Sequence, residues 1–172
     1  MTQQLQITKA RTLKEKPEVA GIPFGSYFTD HMFSMDYSAE LGWHNAAIIP
    51  YAPLEVSPSA QALHYGQTVF EGLKAYNVDG EVTLFRPDEN FKRLNRSLER
   101  LSMPKIDEAF ALQALLELLK VEHDWVPDGE GQALYVRPFV FANEPYLGVR
   151  PAKNYKMLIV LSPVAGYYGA QL

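Results

Sequence analysis

The sequence contains no cysteine. That absence excludes disulfides, thiolate metal sites and cysteine nucleophiles at one stroke. It fits a reducing cytoplasm, the location expected here, although a secreted protein can also do without cysteine. Histidine is scarce: the four, at 31, 44, 64 and 123, show no ligand spacing, so no metal site is expected. Positive charge is not in excess, with sixteen Lys and Arg against twenty Asp and Glu. The basic residues are scattered, which argues against nucleic acid or an anionic membrane as a partner. No apolar run approaches the length of a membrane span. The opening stretch "MTQQLQITKARTLKEKPEVAG" lacks the apolar core of a signal peptide. Internal repeats and low-complexity linkers are absent too. What is left is a chain of 172 residues, 47% hydrophobic and 21% charged. That is an ordinary soluble composition at about the size of one domain, with enough mass for a real core.

Along the chain, residues 1–23 look like an irregular leader ending in the Gly-Pro punctuation of "GIPFG". "SYFTDHMFSMDY" reads as a strand and "SAELGW" as a turn. "AAIIPYAPLEVSPSAQAL" has apolar patches interrupted by proline, which predicts short extended pieces at an edge. "LKAYNVDGEVTLFR" is a hairpin signal, an Asp-Gly pair between two partly β-branched runs. A helix follows from Pro87 or Asp88, with Phe91, Leu94, Leu98 and Leu101 as its apolar stripe and Pro104 as its stop. Asp107 caps a second helix, running to about Trp125. Its polar residues Gln113, Glu117 and Lys120 share one narrow face, so most of its girth should be buried. "ALYVRPFVFANE" and "YKMLIVLSP" are strands apolar on both faces, suited to the middle of a sheet. This order of elements predicts an α+β fold with the helices on one sheet face.

Three residues invite a chemical reading. Lys74 stands in "HYGQTVFEGLKAY", a stretch apolar enough to be buried, and a buried ammonium without a partner is costly. It therefore looks at first like a reactive amine. Arg137 shares a strand face with Tyr135, Phe139 and Phe141 by the two-residue period. A guanidinium among aromatics needs an anion, either a structural partner such as Glu71 or Glu144 or the carboxylate of a ligand. Arg93 lies at the edge of its helix stripe, and the default for an arginine beside Lys92, Arg96 and Arg100 is a solvated face. His31, His64 and Glu71 read as satisfied structural residues. Residue patterns alone thus reach a domain with an aromatic-walled, anion-binding pocket.

Several stretches also resemble a known family. "FGSYFTDHMF", "HYGQTVFEGLKAY", "LFRPDENFKRL", "YVRPFVFANEPYLGV" and "SPVAGYY" occur in the order and spacing of the branched-chain amino-acid aminotransferases. These are fold-type IV pyridoxal-phosphate enzymes, and the resemblance runs from about Phe24 to Tyr168. It implies the small N-terminal domain of a two-domain subunit, with a largely antiparallel sheet and two main helices on one face. Residues 1–23 would be a leader, 24–163 the domain and 164–172 the start of an interdomain loop. The lysine that carries the cofactor would lie in the second domain, beyond Leu172, so Lys74 would be framework and this chain alone inactive. The one departure is that Ala165 precedes Gly166, where the family has the reverse order.

The resemblance implies pyridoxal 5′-phosphate as cofactor, with Arg93 touching its phosphate. Phe24, Phe70, Tyr135 and Tyr167 would wall the substrate pocket, and Tyr135 with Arg137 would receive the side-chain carboxylate of glutamate or 2-oxoglutarate. Tyr65, Leu147 and Val149 would be offered across a homodimer to close the neighbouring pocket. The substrates implied are leucine, isoleucine, valine, glutamate and their 2-oxo acids. Two alternatives stay open at this point: another fold-type IV enzyme, such as a D-amino-acid transaminase or aminodeoxychorismate lyase, and a non-catalytic binding domain.

Overall fold

The computed structural model describes residues 4–165. Eight strands form a single sheet in the order β1-β3-β2-β8-β7-β5-β6, with β4 also pairing β7. The strands are β1 (Gln6–Ile7), β2 (His31–Ser38), β3 (Gly42–Pro50), β4 (Thr68–Phe70), β5 (Leu73–Val78), β6 (Glu81–Leu84), β7 (Ala133–Ala142) and β8 (Asn154–Val164). Every pairing is antiparallel except β1 with β3. Three α-helices accompany them: α1 (Gln61–Tyr65), α2 (Pro87–Arg100) and α3 (Glu108–Val121). The predicted α+β fold is the observed one. No described helix is long and apolar enough to cross a membrane.

The Asp-Gly hairpin forms between β5 and β6. Asp79 and Gly80 both have positive φ, at 52° and 87°, the pair of left-handed residues that the tightest hairpin turn requires. Pro87 opens α2 where its missing N–H costs nothing, and Asp88 and Glu89 face the positive end of the helix dipole. Asp107 caps α3 by accepting the Phe110 N–H at 3.0 Å. The core lies between α2 and α3 and one face of the sheet. Phe91, Leu94 and Leu98 of α2 and Ala114, Leu115 and Leu118 of α3 meet Phe33, Val136, Val140, Met157 and Ile159. At roughly 1.5–3 kcal/mol for each large apolar side chain buried, this one layer dominates the stability of the domain.

Several expectations need correction. The leader is not irregular throughout: Gln6 and Ile7 lie beside Ala47 and Ile48 as a short parallel strand. Its signal is invisible in sequence because an added edge strand bonds through its backbone. The proline-broken stretch 46–63 holds most of one continuous strand, β3, and then a short helix, α1. Leu101 does not extend the α2 stripe, because it follows the helix and is 43% exposed. Asn95 is buried there instead, bonded to both the N–H and the C=O of Ile106 and to Glu108. The second helix stops at Val121 and gives way to a 3₁₀ turn at His123–Trp125. Its girth is less buried than expected, since Leu116 is exposed in a groove beside Val82 and Leu84.

The central strands β7 and β8 explain where a site can form. Along β7 burial alternates: Leu134, Val136, Pro138 and Val140 are buried against the helices, while Tyr135, Arg137 and Phe139 are half-buried on the opposite face. A small apolar cluster of Met32, Phe141 and Leu158, with Phe139 and Val160 against it, lies on that second face. Among the described residues α2 and α3 place no side chain in this cluster, and Ala62 of α1 packs against it.

Candidate active site

The motif residues 70–72 join two sets of side chains. Phe70 pairs with Phe139 in register and so belongs to the open face. Glu71, the next residue, is buried and turned toward α2, as the alternation of a strand demands. There it grips Arg93 with both oxygens, Oε1 accepting from Nε at 2.5 Å and Oε2 from Nη2 at 2.8 Å. Asn90 donates to Oε2 at 3.0 Å, and the Gly72 N–H donates at 3.2 Å. Burial pushes the Glu71 carboxyl up, but the hydrogen bonds from Arg93, Asn90 and Gly72 together outweigh it and hold the group below the usual carboxylate range. Arg93 is therefore not merely solvated, although its side chain is 59% exposed.

Gly72 serves the second set through its lack of a side chain. A Cβ there would sit 2.1 Å from the Tyr135 hydroxyl, so only glycine admits that ring in its place. The hydroxyl accepts a hydrogen bond from Arg137 Nη2 at 3.0 Å. The Arg137 guanidinium lies 4.4 Å from the Phe70 ring centre and 5.3 Å from that of Tyr135, within cation–π range of both. Phe24 meets Tyr135 edge-on at 5.0 Å. Phe24, Phe70, Tyr135 and Arg137 are thus brought together.

The structural partners considered for Arg137 are engaged elsewhere. Glu71 holds Arg93, and Glu144 holds Arg150 with contacts of 2.8 and 3.1 Å. Among the described residues no carboxylate pairs with Arg137, and its buried Nε has no hydrogen-bond partner. A buried donor without an acceptor is costly, so this guanidinium is suited to an anion that the described residues do not supply.

Tyr65, Leu147 and Val149 form a separate, exposed group. The Tyr65 hydroxyl donates to the Leu147 carbonyl. The loop bearing Leu147 and Val149 is fixed by buried Gln61, which donates to the carbonyls of Gly148 at 3.2 Å and Arg150 at 2.8 Å. The Glu144–Arg150 pair braces it further, and Arg150 holds the Glu144 carboxyl below the usual range. Tyr167 and Gly166 lie outside the described residues. Lys74 lies opposite Tyr135 in register, on the open face. His64 donates to the Pro58 carbonyl and His31 pairs with Glu122, so both are structurally satisfied. No group of His, Asp and Glu among the described residues could hold a metal ion.

The cleft beside Arg93 offers a donor set for an anion. Arg93 lines a cleft of about 290 Å³ together with Arg86, Arg96, Asn90, Glu89 and Phe85. Glu71 uses Nε and one Nη2 hydrogen of Arg93, which leaves the Nη1 donors for an anion. Three guanidiniums against one lining carboxylate suit a phosphate dianion. Sequence patterns could not find the Glu71–Arg93 pair, since the two residues are 22 positions apart and obey no period.

A largely antiparallel sheet backed on one face by two main helices is the fold of the N-terminal domain of the fold-type IV branched-chain aminotransferase structures. In agreement, the E. coli branched-chain amino acid aminotransferase structure superposes with a TM-score of 0.65 at 23% identity, over 82% of this chain and 42% of that one. A T.th. branched-chain amino acid aminotransferase complexed with N-(5′-phosphopyridoxyl)-L-glutamate gives a TM-score of 0.57 at 25% identity, over 80% of this chain and 41% of that one. The model of the amino-transferase class IV family matches residues 68–167. The chain belongs to that family. A probable branched-chain-amino-acid aminotransferase of Staphylococcus epidermidis is 60% identical over 169 residues, 98% of this chain and 47% of the relative. The chain thus spans about half the length of the curated relatives it matches.

Proposed function

We propose that these residues are the N-terminal domain of a branched-chain aminotransferase. The complete protein would move an amino group reversibly between leucine, isoleucine or valine and 2-oxoglutarate, in the cytoplasm, as a homodimer. The observation that carries this reading is Arg137, a half-buried guanidinium beside the Tyr135 hydroxyl and the rings of Phe70 and Tyr135, with no carboxylate paired to it among the described residues. Glutamate and 2-oxoglutarate present a second carboxylate that such a group can take, with the Tyr135 hydroxyl beside it. The branched-chain acids present only a hydrocarbon end, and Phe24 and Phe70 offer apolar walls for it. One pocket can then serve both partners of the exchange.

Bound pyridoxal 5′-phosphate supplies the electron sink for the chemistry. In this domain Arg93, oriented by Glu71 and Asn90, would hold the phosphate. Tyr135 and Arg137 would orient the dicarboxylate, and the rings would exclude water from the reacting centre. The braced loop carrying Leu147 and Val149, with Tyr65, would be presented to the partner subunit. No lysine of this chain is assigned the covalent attachment of the cofactor, and Lys74 is read as framework.

The test is to load the 172-residue chain and the complete protein with pyridoxal phosphate, reduce with borohydride, map the labelled peptides and assay both for leucine–2-oxoglutarate exchange. Activity confined to the complete protein, with the label beyond residue 172, is expected. A stoichiometric label at Lys74 with turnover of leucine by this chain would sink the reading.

A further inference from the structure

Residues 15–29 form a loop whose first part lies against residues 123–129, with Lys16 3.9 Å from Asp124, and whose tip brings Phe24 to the Tyr135 ring. Both ends of that loop meet at one side chain. The Lys14 ammonium donates to the carbonyls of Phe28 at 3.1 Å and Thr29 at 2.7 Å. Its backbone N–H donates to Asp30 Oδ1 at 2.7 Å. The same ammonium lies 4.4 Å from the centre of the Tyr51 ring, on which Phe28 stacks at 4.9 Å. Asp30 is itself buried and anchored, since Oδ2 accepts from Trp125 Nε1 at 2.7 Å. The neck of the loop is therefore tied to the core. Desolvation lowers the Lys14 pKa, as expected of an ammonium drawn from water toward backbone carbonyls, and Asp30 and Glu122 oppose that shift.

The tip is built differently. Ser26 bonds the Pro23 carbonyl through both its N–H and its hydroxyl, at 3.3 and 2.7 Å, and Gly25 turns the chain with φ of 71°. Phe24 occupies the middle of that turn. Between neck and tip the only backbone hydrogen bond among the described residues is a long one, Ile22 to Val19 at 3.4 Å. Where the interior of a loop has so few bonds, its closure fixes where its tip can go.

We propose that Lys14 is a positioning residue for the substrate pocket. It clasps the neck of the 15–29 loop and so sets Phe24 against Tyr135, beside Arg137. The inference rests on the reading of Phe24 as a pocket wall. It adds that a lysine shortly ahead of Phe24 in the chain, touching neither substrate nor cofactor, controls binding of the apolar substrate.

The test uses the complete, cofactor-loaded protein with Lys14→Met, Lys14→Arg, Phe24→Ala and the Lys14→Met/Phe24→Ala double variant. KM and kcat for leucine, cofactor dissociation and hydrogen exchange at Ile22, Ser26 and Thr29, hydrogen-bonded amides of the loop, are measured, with exchange in β7 as the control for global stability. Methionine keeps the stem on Tyr51 but removes the donors. Lys14→Met should raise KM several-fold with kcat and cofactor dissociation unchanged, and should speed exchange in the loop tenfold or more but not in β7. Arginine, which retains a cation and donors, should restore both readouts. The double variant should be no worse than Phe24→Ala alone. If Phe24→Ala leaves KM unchanged, the pocket-wall reading fails, and the positioning role fails with it. If Phe24→Ala raises KM while Lys14→Met leaves KM unchanged, the wall stands and the clasp is overturned. Unchanged loop exchange in Lys14→Met also overturns the clasp, whatever KM does.

Discussion

Phe70 and Glu71 are neighbours in the chain, yet each attends an arginine on a different side of the sheet. On the helix side Arg93 is gripped by a carboxylate, whose oxygens are also held by Asn90 and Gly72. On the open side Arg137 has, among the described residues, the face of Phe70 and the hydroxyl and ring of Tyr135 and no carboxylate. The contrast is one of charge compensation. A guanidinium already bonded to a carboxylate is fixed in direction and presents its remaining donors, which suits holding one permanent anion. A guanidinium cradled by neutral groups stays undercompensated, which suits an anion that comes and goes. An arginine's surroundings, more than its presence, tell what it is for.

The largest effect should come from breaking the paired side. Arg93→Ala in the complete protein should weaken cofactor retention by about 1.5–3 kcal/mol, the typical worth of a hydrogen bond to a charged group. Equilibrium dialysis against pyridoxal phosphate measures it, and an unchanged dissociation constant would remove Arg93 from the phosphate site.

Gly72→Ala should sharpen the difference between the sides. The added methyl would displace the Tyr135 hydroxyl while Glu71, one residue earlier, can keep Arg93. Overpacking of this kind costs about 1–3 kcal/mol, read as a lower thermal midpoint. The affinity for glutamate should fall more than the affinity for pyridoxal phosphate. Equal losses would mean that the two sides are not separable at this residue.

The smallest effect is electrostatic and appears only in acid. The Glu71 carboxyl is held below its unfolded range, so its stabilising contribution is complete above about pH 4.3, the ordinary glutamate value. It is lost as pH falls through the lower folded value. Because Arg93 is largely solvated, the contribution should be about 1 kcal/mol or less. The stability difference between wild type and Glu71→Gln should be constant at neutral pH and shrink below about pH 4. Denaturant titrations at several pH values measure it, and a difference that grows in acid would contradict the sign.

The same contrast shows what the sequence could disclose. Periodic features were legible: the Asp79-Gly80 hairpin, the Phe91–Leu94–Leu98 stripe, the Asp107 cap, and the shared face of Tyr135, Arg137 and Phe139. Each is a local rule acting over a few residues. Elements that depend on a distant partner were not. The β1 strand exists because β3 offers its edge, and Asn95 is buried because Ile106 needs both its backbone groups satisfied. Arg93 shows the limit most clearly. Its helix position gives a solvated default, and only the fold brings Glu71 to it. The resemblance of whole motifs supplied roles that residue patterns could not, and the fold agrees with it where the two can be compared.

The most direct test is the behaviour of Arg137→Ala with two amino acids. The complete, cofactor-loaded variant is mixed with leucine or with glutamate, and the rate of each half of the exchange is followed by the cofactor's absorbance. Leucine has no side-chain carboxylate, so its half should change little. The glutamate half should fall tenfold or more, corresponding to about 1.4 kcal/mol or more for the lost charge-assisted contact. Equal losses for the two would mean that Arg137 supports the sheet and does not read the substrate.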